Sequence, residues 1–156
     1  MRTLSRAVAV ADAVGKEVKL PYAAMRRMVN LHTKELVVIA AAPGAGKSVV
    51  AVNMAMGVDY PVLYFAQDSP SSVKARMVAL ASPTMSVRQA HGMVADPTTR
   101  DEIAALIKDR VRDTLIVESG AVTIDQIEKS IDALTEWIGE APPLVIIDNL
   151  IDMIVP

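Results

Sequence analysis

The residue types best suited to chemistry in this 156-residue chain stand in one short run, Ala41-Ala42-Pro43-Gly44-Ala45-Gly46-Lys47-Ser48. Its last three positions satisfy the phosphate-binding pattern G-x-x-x-x-G-K-[ST], and Ala41 stands where that pattern writes its first glycine. Small residues let successive backbone N–H groups turn inward around an anion. A helix that begins at the loop adds its partial positive charge at the same point. The expected occupant is the polyphosphate of a nucleoside triphosphate, cradled by Ala42, Pro43, Gly44, Ala45, Gly46, Lys47, Ser48 and Val49. Lys47 would reach the β and γ phosphates, and the Ser48 hydroxyl would ligate Mg2+.

Two carboxylates could complete such a site. Asp148 follows the apolar run Leu144-Val145-Ile146-Ile147, and an aspartate at the carboxyl end of a strand near the loop helps hold magnesium in nucleotide hydrolases. Taken alone it could equally be a turn or a helix cap. Asp68 ends the run Pro61-Val62-Leu63-Tyr64-Phe65-Ala66-Gln67 and could orient the attacking water as a catalytic residue beside Lys47. Gln67 is a second candidate for positioning water, and Asp68 could instead cap the helix opened by Ser69-Pro70. His32 and His91 lack paired ligand spacing, which argues against a metal role.

These groups must be carried by alternating strands and helices. The apolar run Leu36-Val37-Val38-Ile39-Ala40 predicts a buried strand before the loop, and Val49 to Met56 a helix after it. Further strands are expected at Pro61–Ala66, Thr114–Val117 and Leu144–Asp148. Ser69 or Ser71 can cap a helix reaching about Ala81, residues 86–92 form a short helix closed by Gly92, and another runs from about Arg100 to Val111. Thr123 starts a helix in which Ile124, Ile127, Ile131, Leu134 and Ile138 keep helical spacing. Ahead of the loop, residues 3–15 and Tyr22 to about Leu31 read as helices, expected to cover a sheet edge or dock on a neighbour. The fold class that follows is α/β, a mostly parallel sheet with helices on both faces. Residues 1–34 form a helical segment or linker and 35–156 the main unit.

Composition agrees with that architecture. Hydrophobic residues make up 52% of the chain and aromatics 3%, so the core is built from Ala, Val, Ile, Leu and Met, as suits parallel strands under helices. A formal net charge of −2 and so few aromatics give no basic, base-stacking surface, so contact with DNA is expected only through an assembled complex. The absence of cysteine excludes disulfides and thiolate metal sites. Asp12 interrupts the apolar start, and no run nears the ~20 residues of a membrane span, so a cytoplasmic protein is expected.

From Glu35 through Ser48 to Ala55 the chain resembles the ATPase core of DnaB-type replicative DNA helicases, in the RecA-like group; alanine first and proline third in the loop are typical of it. The likeness continues at Pro61–Pro70 with Arg76, at Val122–Ile127 and at Leu144–Leu150. It implies that Lys47 and Ser48 bind phosphate and magnesium, that Asp148 is the second magnesium-linked residue, and that Asp68 occupies the place of a catalytic glutamate. Asp68 is one methylene shorter, and Ala42 replaces a common arginine, which implies slow hydrolysis. In that family a later strand inserts between the loop strand and the aspartate strand, and residues 149–156 leave no room for it.

The expected function is therefore an ATP-binding, magnesium-dependent core that self-associates or joins a helicase-type partner supplying the remainder, in DNA replication or recombination. A non-catalytic nucleotide-binding protein that caps a helicase ring is the main alternative. A small phosphotransferase is a third reading, disfavoured because no arginine-rich lid follows the third strand.

Overall fold

A computed structural model describes residues 15–18, 20, 22–66, 69–108, 115–120 and 122–149. At its centre lies a parallel sheet in the order β4-β3-β5, formed by β3 (Val62–Ala66), β4 (Leu115–Ser119) and β5 (Leu144–Asp148). Every residue of β3 is buried, as a strand with neighbours on both sides and helices on both faces must be. Strand parity divides its side chains. Val62, Tyr64 and Ala66 pack with Val52, Ala55, Val73 and Met77 on one face, while Leu63 and Phe65 pack with Val122 and Leu134 on the other.

The first face is covered by α2 (Lys47–Gly57) and α3 (Pro70–Ala81), the second by α6 (Ile124–Ile138). Each of the two later helices starts where its sequence supplies a cap. Ser69 accepts the Ser72 N–H at 3.3 Å ahead of α3. Thr123 and Gln126 exchange a reciprocal capping box at the start of α6, and Gly139 ends it in the left-handed conformation. Because Ser69 holds the cap of α3, the helix does not call on Asp68 for that role. The outer face of α3 packs on α4 (Val87–Ala95) and α5 (Arg100–Lys108) through Ala75, Val78, Ala90 and Ile103.

Three expectations are corrected. The segment Leu36–Ala40 belongs to neither sheet among the described residues, and Leu36 is 92% and Val38 65% exposed. A run that apolar becomes a strand only where neighbours offer hydrogen-bond partners and cover, and β5 faces it instead across a groove of about 890 Å³. The expected helix Tyr22–Leu31 is shorter, α1 (Ala23–Met28). Leu31–His32 forms β2, paired antiparallel with β1 (Glu17–Val18), and Val18, Leu20 and Leu31 bury against Met54 of α2. Gly92 lies inside α4; that helix stops at Ala95 because Asp96 precedes Pro97, and a residue before proline is driven from the helical region. The expected helices at residues 3–15 and 109–111 lie outside the described residues apart from Gly15, as does Thr114.

Burial sets the expected ranking of substitutions. Leu63 is 0% and Trp137 63% exposed, so Leu63→Ala should lower stability by about 2–5 kcal/mol and Trp137→Ala by less than about 0.5 kcal/mol. Urea unfolding followed by circular dichroism in the peptide region measures both.

Candidate functional site

The loop before α2 is shaped by its glycines. Gly44 takes φ +76° and Gly46 φ +92°, a region in which a side chain costs about 1–2 kcal/mol. A Cβ at either position would meet open space, so backbone conformation and not room dictates glycine here. The Ala45 N–H donates to the Ala42 carbonyl at 3.2 Å to close the turn, and the Val50 N–H donates to the Gly46 carbonyl at 3.0 Å to begin the helix. No side chain caps α2, and no acidic residue stands in its first turn. Its first N–H groups and the positive end of its dipole are thus uncompensated, which is the electrostatic condition for holding an anion.

Lys47 folds back over the loop, its Nζ donating to the Ala41 carbonyl at 2.8 Å and the Ala42 carbonyl at 3.1 Å. Two carbonyl dipoles are modest partners for an ammonium, and a phosphate placed at the helix start would compete for it effectively. The next residue reaches the sheet: the Ser48 hydroxyl donates to Asp148 Oδ1 at 3.1 Å across 100 residues of sequence. On the other carboxylate oxygen, the Tyr64 hydroxyl donates to Asp148 Oδ2 at 2.7 Å.

This convergence follows from parallel strands. In register, Ala66 pairs with Asp148 and with Ser119, so β3, β4 and β5 all end on the same side, where α2 begins. Ser48 and Asp148 offer a hydroxyl and a carboxylate, hard oxygen donors of the kind magnesium takes together with phosphate oxygens and water. Among the described residues no cluster of three or more His, Asp or Glu side chains could hold a metal by itself. A cation here would accordingly depend on oxygens brought by a ligand. Asp68 and Gln67 lie outside the described residues; β3 leads directly to them from Ala66, beside Asp148. Ala42, Pro43, Gly44 and Ala45 are exposed, as is Val49, while Gly46, Lys47 and Ser48 are half-buried.

His32 is engaged by Glu35, with its Nδ1 3.5 Å from Oε1 and its backbone N–H donating to Oε2 at 2.9 Å. His91 is exposed on α4. The residue that sequence reasoning passed over is Tyr64, read there only as part of a strand. Its signal was parity, since it shares a sheet face with α2 and with the strand residue that ends in Asp148.

A parallel sheet fed by a glycine loop that opens a helix is the architecture of the P-loop NTPases. The family model for the DnaB-like helicase C-terminal domain matches residues 19–155. The chain belongs to that family, and with it to the RecA-like, helicase-type NTPases. It is also 25% identical over 158 residues to the gene 65 protein of Mycobacterium phage L5, an alignment that takes in 96% of this chain and 56% of that protein. The chain therefore spans about half the length of that curated relative.

The two glycine environments make opposite expectations testable. Gly46→Ala should destabilise the fold by about 1–2 kcal/mol, because φ +92° is forced on a side chain. Gly92→Ala, within a helix and facing open space, should stabilise it by about 0.5–1 kcal/mol. Thermal melts of both variants give the comparison.

Proposed function

We propose that this chain is the ATP-binding, Mg2+-dependent ATPase core of a DnaB-like DNA helicase, acting in DNA replication or recombination, with further core elements contributed by a partner polypeptide. The observation that carries the reading is the meeting of Ser48 with Asp148 at 3.1 Å beneath a helix start that no side chain caps. Residues 42–49 would hold the triphosphate, with Lys47 turning from its loop carbonyls to the β and γ phosphates. Ser48 and Asp148 would hold the cation, which supplies charge neutralisation at the phosphates when bound. Asp68, following β3, is the group proposed to orient the attacking water.

Family membership supports a nucleotide as the ligand, and the groove beside β5 supports completion by added chain. Β5 is an edge strand in the described sheet, so its outer N–H and C=O groups offer pairing to an extended segment, and Leu36 and Val38 would gain cover from one. Residues 1–34 would serve as the flanking segment. A cation additional to Lys47 is commonly worth ~10³ to 10⁵ in rate for this chemistry, and the reading assigns it to the partner, so the isolated chain should turn over slowly. No helix among the described residues is long and apolar enough to cross a membrane.

ATP binding by calorimetry, and phosphate release with and without single-stranded DNA, test the assignment in the native chain and in Lys47→Ala. Loss of the ammonium should weaken triphosphate affinity by ~10- to 100-fold, the worth of hydrogen bonds to a charged group, with the melting temperature little changed. Equal affinity in the two proteins would remove the assignment. ATP binding that is never followed by turnover, even with a bound partner segment, would favour the non-catalytic ring-capping role.

A further inference from the structure

We propose that Tyr64 is a positioning residue of this site: its phenol fixes the Asp148 carboxylate so that Oδ1 is turned toward Ser48 and the cation. The inference rests on the proposed function and adds to it a residue in the middle of the sheet. Tyr64 is 0% exposed and pairs in register with Ile146 of β5. Because alternate residues of a strand share a face, Ile146 and Asp148 project on the side that α2 covers, and so does Tyr64. The phenol runs diagonally from one strand to the next, and its hydroxyl meets Oδ2 at 2.7 Å, a well-formed O–H···O length of the kind a hydroxyl makes to a carboxylate.

An aspartate side chain alone turns about its last bond over a broad range. With Oδ2 held from within the sheet and Oδ1 accepting from Ser48 at 3.1 Å, the carboxylate is pinned at both ends by donors from two different elements. Ser48 can still give a lone pair to a cation while its hydrogen points to Oδ1, since a hydroxyl both donates and accepts. Tyr64 cannot follow the ligand in this way, as it is packed among Val52, Val62 and Val73. It is the fixed half of the clamp.

A buried phenol often takes whatever acceptor is near, which would make the contact merely structural. Tyr60 provides the control. Its hydroxyl is buried without a hydrogen-bond partner among the described residues, and it packs at the margin of the same cluster as Tyr64. Burial and the neighbouring Asp59 push its pKa up to about 12. Among the described residues, then, the two phenols of this cluster differ, and the one that reaches a carboxylate is Tyr64.

The test is a MgCl₂ titration of the binding of a non-hydrolysable ATP analogue to the full chain, with affinity in EDTA measured alongside. Tyr64→Phe should raise the Mg2+ midpoint ~10- to 100-fold, the usual cost of losing a partner that orients a metal ligand. Affinity in EDTA should be unchanged, and Tyr60→Phe should move neither quantity. An unmoved Mg2+ midpoint in folded Tyr64→Phe would overturn the inference while leaving the nucleotide assignment standing; failure of the native chain to bind the analogue would remove both. Should Tyr64→Phe not fold, Tyr22→Phe/Tyr60→Phe protein grown with 3-fluorotyrosine carries its label at Tyr64 alone, since the chain has 3 tyrosines. Its fluorine resonance should shift when MgCl₂ joins the bound analogue, and a resonance unaffected by the cation would overturn the proposal.

Discussion

The carboxylate of Asp148 accepts its hydrogen bond from a hydroxyl 100 residues earlier in the chain, and the rest of the site is arranged around that contact. It exists because parallel strands finish together. Register between β3 and β5 brings Ala66 level with Asp148, and α2 lies along the face to which Tyr64 and Ile146 belong. Anything that slipped β5 by a single residue would turn Asp148 to the opposite face, toward α6, and leave Ser48 without its acceptor. The apolar alternation that holds the register therefore also aims the polar group.

The proposed function asks the site to take an anion and a cation together, and its electrostatics suit both. The beginning of α2 has neither an acidic residue nor a side-chain cap, an arrangement that stabilises negative charge from outside the protein rather than from within. Asp148 lies on the sheet side of that pocket and shares itself between two neutral donors. Lys47, meanwhile, is parked on the carbonyls of its own loop. The positive and negative groups are close in sequence or register yet do not neutralise one another, so in the proposed function a polyanion with its metal would meet both without first breaking an ion pair.

On the far side of β5 the molecule departs most from what its sequence suggests. Leu36 to Ile39 form an apolar stretch that would ordinarily be sheet core, and they are exposed along a groove opposite β5. The cause is pairing and not composition. A strand is stabilised by neighbours that satisfy its backbone on both sides, and hydrophobic character alone cannot supply them. Membership of the DnaB-like helicase C-terminal domain family, with about half the length of a phage relative matched, gives that groove its meaning in the proposed function as a place for added chain.

Local signals in the sequence settled a good deal. Ser69 and Thr123 marked helix starts, Gly139 marked a helix end, and the runs ending in Ala66 and Asp148 became strands, because caps and buried runs act through neighbours only a few residues away. Gly46-Lys47-Ser48 marked a tight loop running into a helix, since positive φ at glycine and a helix beginning at Lys47 are local properties too. Strand formation at Leu36–Ala40 and helix length before Leu31 were misjudged because each depends on partners remote in sequence: an adjoining strand in one case, Glu17 and Val18 in the other. Strand parity could put Tyr64 on the face toward α2, but not against a particular carboxylate. Only the packed sheet decides which carboxylate a phenol meets, since that depends on register across strands, a distance that chain order does not encode.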